Sequence, residues 1–405
     1  MTPMMAPPID PKRAQELIAA HVSALPIESV PLAQCSGAVL REDIYAERDQ
    51  PPFDRVAMDG VALASSACCD RRRFTIQGTQ AAGDAPMTLA SSGHCIEVMT
   101  GTVLPAGCDV VVPVERLTLA DGRVEIEADL RVAPWTFVHR RASDRSQGAL
   151  LLASGSRLHA PEIAVVASAG LAQVRVSCQP AIMVISTGNE LVEPGEPIAA
   201  HQIRRSNTYA VAAALRERGF RRVGDDHLPD DAAVLRERLR QHLASHPVLV
   251  LSGGVSMGRF DLVPKVLEEL GVHCILHGIA QRPGGPMWFG TSSEGRSVFA
   301  LPGNPVSTLV CLVRYVVPAL YGAMGVPAAA PERVALSAPL QWQPPLAGFM
   351  PVRLAQDDCA RPWATPCPTN GSGDFTSLAL TDGFIELPPG PTELAKGYVA
   401  QLYRW

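Results

Sequence analysis

The sequence predicts a multidomain α/β plus β protein: a central doubly wound α/β domain, β-rich N-terminal domains and a small C-terminal β domain. Three observations carry this. The chain has 405 residues, more than one core ordinarily organises, so roughly two to four domains are expected. Near residue 180 short β-branched runs broken by Gly and Pro give way to apolar runs alternating with helical periodicity. The stretch Gly325-Val326-Pro327-Ala328-Ala329-Ala330-Pro331 then reads as a linker before a tail rich in Pro, Gly and short strand-like runs.

In chain order, Asp10-Pro11 reads as an N-cap with a first-turn proline, and Ala14, Leu17, Ile18, His21, Val22 and Leu25 follow at helical spacing. The chain should open with an amphipathic helix. Between about residues 30 and 179, runs such as 108–114, 123–126 and 171–176 predict mostly β structure. From 181 onward, apolar runs at 181–185, 248–251 and 298–301 alternate with helical segments near 208–218, near 262–270 and from about Val306. This alternation calls for a parallel sheet with crossover helices.

Composition narrows the function classes. The formal charge of −5, from 35 basic and 40 acidic residues, leaves no basic surplus for a phosphate backbone, so no nucleic acid partner is expected. The N-terminal residues lack a signal-peptide core, and no stretch reads as a bilayer-length apolar run, so the expectation is no membrane and a soluble, cytoplasmic protein. The ten cysteines are scattered without a Cys-x-x-Cys pair and read as apolar fillers rather than a zinc site. His242 and His246 have zinc-helix spacing, but Ser245 and Pro247 beside His246 favour a helix end.

The segment Pro51-Pro52-Phe53-Asp54-Arg55-Val56-Ala57-Met58-Asp59-Gly60 is a stiff loop presenting two carboxylates, able to meet a divalent cation or manage a proton; the alternative is a surface turn capped by Asp54. In open α/β sheets ligands bind beyond the carboxyl ends of the strands. There the chain reads Ser186-Thr187-Gly188-Asn189-Glu190, Ser252-Gly253-Gly254-Val255-Ser256, and Pro302-Gly303-Asn304-Pro305-Val306-Ser307. Each pairs small residues with hydroxyls ahead of a helix, which suits a phosphate-class anion. Glu190, Asp230 and Asp261 fall on the same edge, where carboxylates hold Mg²⁺, although Asp230 and Asp261 could instead cap the helices that follow them. The loops 99–109 and 140–148 resemble site loops more than hairpins, although as an isolated segment each reads as a solvated turn.

With these motifs, the chain resembles the molybdopterin molybdenumtransferase (MoeA) family, which gephyrin's C-terminal domain also resembles. The 51–60 loop, Met99-Thr100-Gly101, Ser186-Thr187-Gly188, Ser252 to Ser256 and Leu301 to Ser307 carry the likeness, which runs through Gly371-Ser372-Gly373-Asp374. The resemblance implies a molybdopterin-binding-like central domain in a four-part chain: 1–52 with 142–179, an inserted 53–141, 180–326, and 327–405. It implies Mg²⁺-assisted insertion of molybdate into adenylyl-molybdopterin, releasing AMP. The implied catalytic residues are Asp59, Thr100, Asp144 and Asp230, with Glu190 and Asp261 on the metal. The implied substrate contacts are Ser186, Thr187, Gly188, Ser252, Gly253, Gly254, Ser256, Arg282, Pro302, Gly303, Asn304, Pro305 and Ser372. Asp54 reads as the residue that shapes its loop. A homodimer is implied, the 51–60 loop facing the partner's α/β domain, with contacts to molybdopterin adenylyltransferase and molybdoenzymes. The other readings are a non-catalytic carrier or scaffold for the molybdopterin nucleotide and an adenylyltransferase.

Val61 stands where an aromatic is frequent in the family, and the chain departs from it in two further places. Arg282-Pro283-Gly284-Gly285-Pro286 stands where Lys-Pro-Gly-Lys-Pro is common, which loses one cation at Gly285. Arg55-Val56 replaces the usual Asn-Ser.

Overall fold

A computed structural model of the chain describes residues 8–255 and 262–405, so Ser256 and Asp261 lie outside the described residues. The α/β domain contains β1 (Ile182–Thr187), α1 (Asn207–Glu217), β2 (Val223–Leu228), α2 (Ala232–Ser245), β3 (Val248–Ser252), α3 (Leu262–Glu269), β4 (Val272–His277), β5 (Trp288–Ser292) and β6 (Ser297–Leu301). Their order is β2-β1-β3-β6-β5-β4. Strands β2, β1, β3 and β6 are parallel, as the alternating pattern predicts. Strand β5 runs antiparallel to both β6 and β4, a departure from the all-parallel expectation. Neither β4 nor β5 is a clean apolar run: β4 carries His273 and His277, and Gly290 interrupts β5.

Alternate side chains of the central strands feed two separate cores, which is what winds helices on both faces. Ile182, Val184, Val248 and Val250 pack with α1 and the helical stretch after Pro305. Ile185, Leu249 and Leu251 pack with α2 and α3. The N-terminal helix Pro11–His21, capped by the Asp10 carboxylate on the Lys12 and Arg13 amides, buries Ala14 and Ile18 in the first of these cores. The helical stretch Pro305–Ala323 corrects one expectation, being long and apolar enough to cross a membrane. It is 78% buried inside the protein, and that burial explains its composition.

Antiparallel pairs Ile27–Pro31 with Gln173–Ser177 and Ile44–Tyr45 with Leu150–Leu152 close a core from two distant chain segments. The helix Ala160–Ser168 also belongs to it, where the sequence texture predicts mainly strands. Between these segments, Gly60–Leu63 lies second from one edge of a six-stranded sheet whose core includes Val61, Leu63, Phe74 and Val112. At the far end, six strands form another sheet, one of which, Gln281–Arg282, is donated by the α/β chain and pairs with Ala347–Gly348. All ten cysteines are free.

Gly60 explains the last residue of the opening motif. A Cβ there would fall on the Val112 carbonyl oxygen and within 2.9 Å of Pro113 Cα, both backbone atoms of the neighbouring strand. Gly60→Ala is therefore expected to cost about 1–3 kcal/mol by forcing the strands apart. A lowered denaturation midpoint would check this; an unchanged one would show that the strands yield freely.

Candidate active site

The carboxyl ends of β1, β3 and β6 open onto a cleft of about 930 Å³. Backbone geometry there depends on glycine. Gly253 and Gly254 have φ of 99° and 68°, and a Cβ on either would press within 3.0 Å of the Thr187 hydroxyl. Asn207, at the start of α1, knits the loops together: its Nδ2 donates to Ser252 Oγ at 2.8 Å, to the Gly303 carbonyl at 2.7 Å and to Thr308 Oγ1 at 3.2 Å. The Ser252 hydroxyl is thereby engaged, and Ser186 Oγ lies 3.2 Å from His227 Nδ1, so both serines act as buried braces. Thr187 is different. Its hydroxyl is buried at the cleft wall without a partner among the described residues, which fits it to meet a ligand oxygen.

Two exposed carboxylates line the cleft, Glu190 and Asp230. The helix-cap reading of Asp230 is set aside by Asp231, whose carboxylate accepts from the Ala233 and Val234 amides. Asp230 is left free to face the cleft, its backbone N–H held by Asn189 at 3.1 Å. Arg204 and Arg205 also line it. Arg205 is buried and paired with Asp225 and with Glu193 at 3.1 Å, so it braces the wall, whereas Arg204 is exposed. Among the described residues no three His, Cys, Asp or Glu side chains cluster as a preformed metal cage.

A second cavity of about 500 Å³ adjoins the first and shares Pro286, Pro302 and Asn304 with it. It lies between the Arg282–Pro286 loop and the C-terminal sheet and brings together Arg282 and Ser372. Below the loop, buried Gln281 accepts from the Tyr315 hydroxyl and donates to the Pro283 carbonyl at 3.0 Å, which fixes the loop's path. The C-terminal loop closes over this junction: Asn304 Nδ2 donates to Ser372 Oγ at 2.7 Å, and Val306 N to the Ser372 carbonyl at 3.1 Å.

Asp374 organises that loop. The Asn370 amide and the Ser377 and Thr376 hydroxyls donate to its carboxylate and hold its pKa down at about 2. A depressed folded value means the brace is complete above the ordinary carboxylate value of about 3.9, weakens as pH falls below it and is lost below about 2. Amide shifts of Asn370 and Ser377 followed down that range should therefore move, and Asp374→Asn should abolish the transition; an identical transition in the variant would place its origin elsewhere.

The N-terminal loops form a separate cluster. Asp59 Oδ1 accepts from the Thr100 hydroxyl at 2.7 Å and from its amide at 2.6 Å, and these bonds hold its carboxyl below the usual range. Asp54 accepts from the Arg141 amide at 2.8 Å and so ties the 51–60 loop to the 140–148 loop, the shaping role the sequence suggests. Asp144 Oδ1 lies 2.8 Å from His139 Nε2. Within one chain none of Asp59, Thr100 and Asp144 lines the α/β cleft.

Three successive family descriptions match the chain: the MoeA N-terminal region (domain I and II) over 9–170, the probable molybdopterin binding domain over 183–322, and the MoeA C-terminal region (domain IV) over 333–405. A molybdopterin molybdenumtransferase from Synechocystis sp. is 41% identical over 394 residues, covering 97% of this chain and 98% of the relative. The chain belongs to the MoeA family. Molybdopterin molybdenumtransferase 2 from Mycobacterium tuberculosis is 30% identical over 403 residues, covering 96% of this chain and 98% of its own length. The crystal structure of a molybdopterin biosynthesis MoeA protein from Pyrococcus horikosii superposes with a TM-score of 0.81 at 31% identity, covering 98% and 99% of the two chains.

In this MoeA chain the motif residues thus fall into two groups. Ser186, Thr187, Gly188, Glu190, Asp230, Ser252, Gly253, Gly254, Pro302, Gly303, Asn304 and Pro305 converge on the α/β cleft, with Arg282 and Ser372 in the cavity beside it, while Asp59, Thr100 and Asp144 sit on the N-terminal loops. Asn207, Arg204 and Gln281 escape a motif search because a lone Asn, Arg or Gln carries no spacing signature. Asn207 was traceable in principle as a polar residue opening a helix on the ligand edge.

Proposed function

We propose that this chain inserts molybdate into adenylyl-molybdopterin in a Mg²⁺-dependent reaction that releases AMP. As a MoeA-family transferase, it works in molybdenum cofactor biosynthesis. The single observation that carries the finer reading is the joined pair of cavities: a phosphate-class cleft walled by the Thr187 hydroxyl, which has no partner among the described residues, with Glu190 and Asp230, next to a smaller cavity bearing Arg282. A pterin-linked pyrophosphate with a second oxyanion alongside fits that division.

The donor set suits Mg²⁺, which takes oxygen ligands, usually one or two carboxylates together with substrate phosphates. Glu190 and Asp230 would hold the ion, which when bound supplies charge neutralisation at the pyrophosphate. The loop amides at Gly254 and Gly303 would orient phosphate oxygens, the Gly188 and Gly253 N–H groups being engaged by the Leu228 and Leu301 carbonyls, and Thr187 would donate or accept at the cleft wall. Arg282 would hold molybdate. Asp59, Thr100 and Asp144 complete the site from the 51–60, 99–109 and 140–148 loops of a second copy in a homodimer, since within one chain they stand apart from the cleft. The four-part division 1–52 with 142–179, 53–141, 180–326 and 327–405 accompanies this reading, as does a cytoplasmic location beside the adenylyltransferase and molybdoenzymes.

The test is direct. Purified protein given molybdate, Mg²⁺ and verified adenylyl-molybdopterin should release AMP and yield a cofactor that activates an apo-molybdoenzyme. No AMP release would overturn the proposal.

Gly285 favours a second reading, a carrier that binds the nucleotide without turnover. On the enzymatic reading Gly285→Lys adds one exposed cation, on the order of 1 kcal/mol, so the KM for molybdate should drop by up to about fivefold. A Cβ at 285 would sit 3.1 Å from the Gln281 carbonyl oxygen and 3.3 Å from that of Ile279, so the backbone must yield slightly and the gain is an upper figure. Turnover seen only in the variant would establish the carrier reading instead.

A further inference from the structure

Arg55, one of the chain's departures from its family, sits on the two-residue strand Arg55–Val56, paired antiparallel with Val138–His139 so that Arg55 and His139 are direct cross-strand partners. Cross-strand partners hold their side chains within reach of each other. Arg55 Nη2 lies 3.0 Å from His139 Nδ1, and His139 Nε2 lies 2.8 Å from Asp144 Oδ1. The three side chains form a line from a loop arginine, through an imidazole, to a carboxylate.

Hydrogen-bonding chemistry orients that line. A guanidinium has five N–H donors and no acceptor, so the ring nitrogen facing it must present a lone pair. The proton therefore sits on Nε2, where it donates to Asp144. The remaining side-chain contact of Asp144 is a 3.5 Å approach of the Ser143 hydroxyl to the same oxygen, too long to orient it, while the Asp144 backbone N–H is held at 2.9 Å by the Gln50 carbonyl. The backbone is anchored locally, and the carboxylate's direction rests on His139.

We propose that Arg55 and His139 are positioning residues: Arg55 fixes His139 in the tautomer with Nδ1 bare and Nε2 protonated, and that N–H aims the Asp144 carboxylate at the reacting substrate. The second half rests on the reading that Asp144 serves the active site; the tautomer does not. An imidazole held this way directs the carboxylate while leaving its charge uncancelled, which a lysine or arginine in the same place would not do.

Nitrogen-15 NMR of the full-length protein labelled at histidine, with the His139 signals assigned by their loss in His139→Gln, reads the tautomer directly. The expected result is a protonated Nε2 and a bare Nδ1 in the wild type, loss of that preference in Arg55→Met, and its return in Arg55→Lys, which keeps a donor. A protonated Nδ1 in the wild type would overturn the inference whatever the activity. In turnover assays Arg55→Met should lower kcat by about tenfold with little change in KM, and Arg55→Lys should recover most of it, as for a misdirected reacting group. An altered tautomer with unchanged kcat, in a protein where Asp144→Asn is inactive, would overturn the positioning role. If Asp144→Asn retains full turnover, the active-site reading of Asp144 is wrong, and the NMR result alone decides the tautomer.

Discussion

Asp59→Asn should reduce turnover by about two orders of magnitude or more, the range for a positioned ionised group in a reacting site, while leaving the fold intact. The asparagine Oδ1 can still accept from the Thr100 hydroxyl and amide, now at 2.7 and 2.6 Å, so the loop keeps its two anchoring bonds. What disappears is the negative charge, which those donors stabilise in the wild type by holding the carboxyl below its usual range. The loss should appear in kcat, with the denaturation midpoint unchanged. Wild-type turnover at saturating Mg²⁺ would place the chemistry away from the 51–60 loop. Because Asp59 does not line the cleft of its own chain, mixing Asp59→Asn with a cleft variant such as Asp230→Asn should also restore activity in those mixed dimers that carry one intact composite site.

Arg314→Leu should be the most destabilising of the substitutions considered. Arg314 is 5% exposed; its Nε lies 3.2 Å from Glu386 Oε2, its Nη1 donates to Gln15 Oε1 at 2.6 Å, and its guanidinium stacks over Tyr315 and Tyr403. Glu386 also accepts from the Tyr403 hydroxyl at 2.6 Å. One side chain thus joins the N-terminal helix, the helical stretch after Pro305 and the C-terminal sheet. Removing the cation strands Glu386 beside the Tyr403 ring. Breaking a buried pair from one side costs about 3–5 kcal/mol, and the partial exposure of Glu386 argues for the lower end. The double variant Arg314→Leu with Glu386→Leu should recover much of the loss, because neither charge is then left alone. Equal midpoints for the single variant and the wild type would show that the ion pair contributes nothing net.

The fold was legible wherever a local pattern had a single physical meaning. The Asp10 cap with Pro11, the helical spacing after it, and the buried runs that became β1, β3 and β6 all rest on interactions within a few residues or on burial of both strand faces. Strands β4 and β5 were not legible, because His273, His277 and Gly290 interrupt the local pattern and the strands are held by pairing with each other and with β6 rather than by their own periodicity. The same limit explains Gln281–Arg282, which reads as a loop and becomes a strand only because Ala347–Gly348 lies alongside. It also explains Pro305–Ala323, whose apolar length is answered by a surrounding protein core.

By itself, the sequence determined which residues could do chemistry: loops of small residues and hydroxyls at strand ends, and acids on stiff turns, have few other uses when they recur together. Tertiary structure alone decided what each one does. It spent the Ser186 and Ser252 hydroxyls on internal bonds and left Thr187 without a partner among the described residues. It gave the cap to Asp231 and released Asp230 to the cleft. It set Arg55 against His139 and turned a sequence departure into a hydrogen-bonded line to Asp144. The reason is that a side chain's role depends on which donors and acceptors remain unsatisfied around it, and in this chain those partners lie 84 residues away for Arg55 and His139 and as many as 299 away for Arg314 and Gln15.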